Sequence, residues 1–279
     1  MDGMGGITKG ASVQRALQFL RQLLGASPSP YEDALSARLD SLRLVLAPPS
    51  TEGFTAWSED GRRLDLYTSQ FNPDWILELE IAPRHILDVG SYDAGDAIRF
   101  KKAFPLARVI CFEPDPDRFD IVSFNATAFG IEAHQLALLD RAGFADLYRS
   151  SAGVEASSGQ GSIYRETAEY KKRHPHIVIS EIPTSVRCTR VDLFCAENGI
   201  DDIDVAHIDV EGAEYEVLQG MGPIRPKLIF AETSADEVPL WEGSKRPKEL
   251  HRLLSRMGYL LGGDFGTDRL YIRSDLFVD

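Results

Sequence analysis

Ile86-Leu87-Asp88-Val89-Gly90-Ser91-Tyr92-Asp93-Ala94-Gly95 passes within ten residues from an apolar run into a turn bounded by two glycines. Residues 85–89 are short and apolar, as a strand buried on both faces would be, and 94–104 continue with helical spacing. Gly90 lets the backbone turn sharply and approach a ligand with no side chain in the way, and Gly95 allows close packing where the helix begins. The spacing G-x-x-x-x-G departs from the dinucleotide fingerprint G-x-G-x-x-G. No Lys-Ser/Thr pair follows, so a phosphate-cradling P-loop is excluded. Asp88, an acid within the strand, suits a cationic or hydroxylated ligand better than a pyrophosphate.

Outward from this turn the same alternation repeats. Residues 108–112 (RVICF) are apolar and β-branched, 117–129 are helical in pattern, and 132–139 read as a third strand. Strands at 205–208 and 228–231 follow, then two more at 258–261 and 270–272 around Gly262-Gly263. Apolar runs alternating with helices predict a doubly wound, mostly parallel α/β sheet covered on both faces. Ligands of such a sheet sit beyond the carboxyl ends of the strands. Residues 54–67 read as a hairpin turning at Asp60-Gly61, and Asn72-Pro73 starts a short helix.

The N-terminal part differs. Val13, Ala16, Leu17, Leu20, Leu23 and Leu24 fall on one helical face. Ser29-Pro30-Tyr31-Glu32 is a capping box that opens a second amphipathic helix, with Leu35, Leu39, Leu42 and Leu46 on its face and Pro48-Pro49 at its end. Residues 1–70 are therefore expected to form a helical extension with a hairpin, covering the core or joining two copies of the chain. Residues 71–279 are expected to form the ligand-binding α/β domain.

At 279 residues with 43% hydrophobic content, the chain can bury one substantial core. A net charge of −13 argues against nucleic acid or an anionic membrane as partner. The basic clusters Lys101-Lys102, Lys171 to Arg173 and Lys245-Arg246 are short and read as solvated faces. Cys111, Cys188 and Cys195 are odd in number and lack metal-ligand or C-x-x-C spacing. With no signal sequence and no apolar run near the ~18 residues of a membrane span, a reducing cytoplasm is expected. His174-Pro175-His176 reads as a solvated turn, and no metal is expected.

Three strand ends carry the chemistry. Beyond the Asp88 turn, Glu113 closes the second strand in Phe112-Glu113-Pro114-Asp115, where an acid can accept hydrogen bonds from both hydroxyls of a ribose. A ligand with ribose and no phosphate, such as S-adenosylmethionine, fits both sites. The third is Ala206-His207-Ile208-Asp209-Val210-Glu211-Gly212-Ala213-Glu214. Strand alternation puts His207 and Asp209 on one side. Asp209 is read as the base, or as a carboxylate orienting His207, and His207 as an alternative base or a core histidine. Glu211 and Glu232, the latter ending the next strand, are read as contacts to acceptor hydroxyls. Glu214 reads as complementing a helix dipole.

Taken together, I-L-D-V-G-S-Y-D-A-G, F-E-P-D-P and H-I-D-V-E-G-A-E-Y-E-V-L-Q-G, with Arg190-Val191-Asp192-Leu193 before the last, resemble the FkbM family of methyltransferases over roughly residues 70–275. The resemblance implies a seven-stranded class I core that binds S-adenosylmethionine and methylates hydroxyls of sugars, glycans or polyketide-like natural products. The donor site expected is Asp88, Gly90, Ser91, Tyr92, Gly95, Glu113, Pro114, Leu138 and Asp209. The small polar stretch 157–162 resembles a loop near the cofactor in that family. Two departures stand out: a lysine is common where His207 stands, and an asparagine near Tyr92-Asp93. A nucleotide-dependent oxidoreductase and an inactive binding scaffold are the competing functions. Trp241 and Tyr164 read as packed aromatics, with stacking on a sugar ring as the alternative.

Overall fold

The computed structural model describes residues 49–50, 53–153, 157–233 and 239–277. The two amphipathic helices expected before residue 48 lie outside the described residues. The hairpin is formed by β1 (Phe54–Trp57) and β2 (Arg63–Leu66), followed by the short α1 (Asp74–Glu78), whose Asp74 amide is capped by Asn72 Oδ1 at 3.0 Å. Then come β3 (His85–Val89), α2 (Gly95–Ala103), β4 (Arg108–Phe112), α3 (Pro116–Thr127) and β5 (Glu132–His134). An inserted region holds β6 (Ala137–Leu138), β7 (Gly143–Leu147), β8 (Ser150–Ala152), α4 (Ala168–Arg173), β9 (Ile177–Ile179) and β10 (Thr184–Thr189). The chain closes with α5 (Val191–Glu197), β11 (Val205–Ile208), α6 (Glu214–Gly220), β12 (Leu228–Glu232), α7 (Pro247–Arg256), β13 (Tyr259–Asp264) and β14 (Asp268–Arg273).

The main sheet has seven strands in the order β13-β14-β12-β11-β3-β4-β5, with β14 antiparallel to both neighbours and the other pairings parallel. Its strands alternate between two cores, which is why they are apolar along their whole length. Ile86, Val109, Val205, Leu228 and Phe230 pack with Phe71, Trp75 and Phe100 on one face. Leu87, Ile110, Ala206, Ile208 and Ile229 pack with Phe194, Val217 and Leu254 on the other. Cys111 is fully buried, as a small core residue. The hairpin joins the first of these cores through Ala56 and Leu66. Strand order reverses beside β3, whose neighbours are β4 and β11, so the crevice opens at the carboxyl ends of these three strands.

Two strand expectations are corrected. The run 132–139 is broken: β5 stays in the main sheet, while β6 leaves it to pair with β10, which also pairs with β7. Gly262 and Gly263 do not form the final turn. They lie within β13 at a register shift, where a Cβ on Gly262 would meet Ile272 at 2.5 Å and one on Gly263 would meet the Phe265 ring at 2.7 Å. The glycines serve packing, and the turn falls at Phe265–Thr267. Among the described residues no helix is long and apolar enough to cross a membrane.

Candidate active site

Loop 90–94 leaves β3 in a contorted path. Gly90 has φ +89°, and Tyr92 and Ala94 are left-handed at +52° and +68°, a cost for residues with side chains. Several bonds hold it. The Gly90 and Ser91 amides both donate to the Phe112 carbonyl at 3.0 Å. Asp93 accepts from the amides of Tyr67 (2.8 Å) and Gly95 (2.9 Å), and Asn125 donates to the Asp93 carbonyl at 2.9 Å. A Cβ on Gly90 would stand 1.7 Å from the Asp209 carbonyl oxygen, and one on Gly95 would stand 1.8 Å from that of Tyr67. Both glycines are thus required by backbone approaching backbone.

Glu113 sits at the end of β4 with its carboxylate between two amides, accepting from Tyr92 N at 3.1 Å and Asp115 N at 2.9 Å. Burial pushes its pKa up to about 7, against the pull of these amides. Beside it lies a cleft walled by Val89, Phe112, Leu138 and Ile163 and bounded by Pro114 and Asp209. A more polar cavity adjoins it, lined by Tyr67, Asp88, Ser91, Asp96, Gln160 and His207. Gly90, Tyr92, Gly159, Asp209 and Glu211 line both.

Stretch 157–162 crosses between the two. Gly159 packs on the Tyr92 ring, which a Cβ would approach to 2.1 Å, and Ser162 Oγ donates to the Glu211 carbonyl at 2.6 Å. Arg118 lies over the Tyr92 ring, 4.2 Å from its centroid, and donates to the Ser157 carbonyl. Arg118 escaped the sequence reading. Its signal was a cation in the first turn of the helix after F-E-P-D-P, where the dipole disfavours it.

The carboxylates beyond β11 and β12 are crowded. Burial raises the pKa of Asp209, with Asp96 and Asp88 adding to the rise and His207 opposing it. Glu211, left-handed at φ +53°, and Glu232 are raised well above the usual range by burial and by their neighbours. Glu214 accepts from the amides of Val210 (3.2 Å) and Gly212 (3.1 Å), so it fastens the turn before its own helix. Glu232 lines a separate cleft with Glu214, Trp241 and Lys245, and Gly95 lies beneath Tyr67, so neither borders the two joined cavities. The other expected residues do.

One expected contact is replaced. The carboxylate that orients His207 is Asp88, whose Oδ1 is 2.7 Å from Nδ1. Trp241 is 4% exposed, packed over Gly212 and against Tyr170 with ring centroids 4.6 Å apart, so it has no free face for a sugar. Among the described residues no three His, Cys, Asp or Glu side chains converge as a metal site.

The donor set suits S-adenosylmethionine. A buried acid stands where a ribose would meet it, the cleft wall is apolar, and the carboxylates beside Gly90 complement a cation. The cations among the described lining residues, Arg118 and His207, are already engaged, which leaves little to neutralise a pyrophosphate.

A model of the FkbM methyltransferase domain matches residues 88–261. The 2-O-methyltransferase NoeI of Sinorhizobium fredii is 32% identical over 161 residues, which cover 57% of this chain and 65% of NoeI, just under two thirds of its length. Methyltransferase sdnD of Sordaria araneosa is 26% identical over 212 residues, covering 69% of this chain and 78% of sdnD. An O-methyltransferase from Bacillus cereus, solved in complex with SAH, aligns with a TM-score of 0.37 at 11% identity, covering 95% of this chain and all of that one.

Proposed function

The chain belongs to the FkbM methyltransferase family, with S-adenosylmethionine as methyl donor, and we propose that it methylates a hydroxyl group of a sugar, glycan or polyketide-like natural product. The observation that carries this assignment is one cleft with Glu113 at one side and Asp209 and Glu211 at the other, meeting across Gly90. When bound, S-adenosylmethionine supplies an electrophilic methyl group on a sulfonium. Glu113 accepts the ribose hydroxyls. Val89, Phe112, Pro114 and Leu138 enclose the base, and Gly90, Ser91 and Tyr92 shape the loop around the rest.

An alcohol attacks only as its proton leaves, so a base within hydrogen-bond reach is needed. Asp209 fills that role, since it borders both cavities and burial raises its affinity for a proton. Glu211, which borders both cavities, accepts hydrogen bonds from acceptor hydroxyls, and positioning supplies much of the remaining rate. The description of NoeI as a 2-O-methyltransferase supports a hydroxyl acceptor. The three cysteines are buried free thiols, compatible with work in a reducing cytoplasm.

Calorimetric titration with S-adenosylhomocysteine tests the donor site. Wild type should bind, and Glu113→Ala should bind about 10- to 100-fold more weakly, the worth of one or two charge-assisted bonds. Folded wild type that gives no binding heat would refute the assignment and favour a scaffold. Binding lost in the variant would direct the search to acceptor hydroxyls.

A further inference from the structure

We propose that His207 is a positioning residue for the donor loop: its imidazolium holds the Asp88 carboxylate, and through it the Ser91 turn, in the form that receives S-adenosylmethionine. This rests on the donor-site assignment above, and it gives His207 a task other than accepting the acceptor's proton.

The position in the sheet is the first ground. Register pairs Cys111 with Asp88, Asp88 with His207, His207 with Phe230, and Phe230 with Leu270, one row across five neighbouring strands. The row is apolar except for the central pair. Asp88 is fully buried and His207 is 3% exposed. The His207 ring stacks on Phe230 at 5.9 Å between centroids and meets the edges of Phe71 and Phe100 at 6.4 and 6.3 Å. A carboxylate in such a row is costly without a cation, and His207 supplies one at 2.7 Å.

The second ground is what Asp88 does next. Its Oδ2 accepts from Ser91 Oγ at 2.7 Å, and the same hydroxyl approaches the Asp88 carbonyl at 3.0 Å. Ser91 precedes Tyr92, whose left-handed backbone places its amide on Glu113. A continuous path, His207–Asp88–Ser91–Tyr92–Glu113, therefore joins the buried row to the acid assigned to the ribose.

Charge separates positioning from base catalysis. Asp88 on β3, Asp96 on α2, Asp209 after β11 and Asp268 on β14 all interact electrostatically with the imidazole, and Asp96 is itself paired with Arg99. Burial works against the charged ring, but Asp96, Asp88 and Asp209 outweigh it and hold the pKa up at about 9. A proton so held is a fixed charge at neutral pH. A general base has to start without it.

The test compares wild type, His207→Gln, His207→Lys and Asp88→Asn/His207→Gln by calorimetry with S-adenosylhomocysteine from pH 7 to 10, with melting curves to verify folding. At pH 7 the Gln variant should bind about tenfold or more weakly, the Lys variant should recover most of the loss, and the double variant part of it. Wild-type affinity should fall about tenfold more than that of the Lys variant as pH passes 9 to 10, because both meet the same ligand titration and only one loses its cation there. Wild type that binds while folded His207→Gln binds within twofold of it would overturn this proposal alone. Folded wild type that does not bind would overturn the donor site and the proposal together. Should the Gln variant not fold, wild-type and Lys profiles that run parallel above pH 9 are the overturning result.

Discussion

Asp209 follows the last residue of β11, and its place is fixed from the backbone outward. Its amide donates to the Val89 carbonyl at 2.9 Å, and its own carbonyl occupies the space that a side chain on residue 90 would need. Strand end and donor loop are therefore one joint. If Asp209 is the base, Asp209→Asn should lower kcat by about 10²- to 10⁴-fold while S-adenosylhomocysteine affinity changes little. Equal turnover in the variant would remove Asp209 from that role. The base acts only when ionised, and burial raises its pKa. The acid limb of the wild-type kcat profile should therefore lie above the ordinary carboxylate range. Gly90→Ala tests the joint itself. With φ at +89° and a collision with backbone, the methyl should cost roughly 3 kcal/mol or more and lower the melting temperature by several degrees.

At the scale of elements, the stretch 157–162 is held between the donor loop and the Glu211 turn. Ser162, 1% exposed, donates to the Glu211 carbonyl and accepts from Tyr164 N at 3.1 Å. Ser162→Ala leaves both partners short of a bond, a loss of about 1–3 kcal/mol concentrated in this segment. KM for S-adenosylmethionine should rise several-fold with kcat nearly intact, and amide exchange over residues 157–164 should quicken. Unchanged exchange there would mean that the segment is held by Arg118 and Tyr92 instead. The core strands were legible in the sequence because both their faces are covered, which writes burial as an unbroken apolar run. β7 and β10 were not, since each has one exposed face, and β6 finds its partner residues in β10 about fifty positions away. The site divides the same way. Asp88, Glu113 and Asp209 stand at or beside strand ends, where the topology alone points, whereas Arg118 reaches the Ser157 carbonyl and Asp96 reaches Ser69 only once those distant segments are folded back.

Across the whole molecule, the site is a store of carboxylates that folding makes weaker acids. Burial raises Asp93 to about 6, Glu113 and Asp268 to about 7, and Glu214 to about 8. Unfolded, such groups titrate near pH 4, so between about pH 4 and 8 the native chain binds more protons, and stability falls as pH rises through that window. His207 acts in the same direction. Its raised pKa gives a contribution that is whole below its unfolded value of about 6.5 and is lost as pH climbs through about 9. The net charge of −13 adds general repulsion at high pH. Toward acid the sign reverses. Burial pushes Asp204 up, but Lys227 and the amides of Arg84 and His85 outweigh it, and Arg108 lowers Glu132. Their contribution is present above the unfolded pKa and lost below it. The melting temperature of the ligand-free chain should therefore peak near about pH 5 and decline toward pH 8. A cationic ligand relieves the crowding where the carboxylates are ionised. The rise in melting temperature on adding S-adenosylmethionine should accordingly be larger at pH 8 than at pH 5.5, and larger than that from S-adenosylhomocysteine, which lacks the sulfonium charge. Scanning fluorimetry across pH reads both. Equal shifts from the two ligands at every pH would mean that these carboxylates do not sense the sulfonium, and that Glu113 and the apolar wall carry donor recognition by themselves.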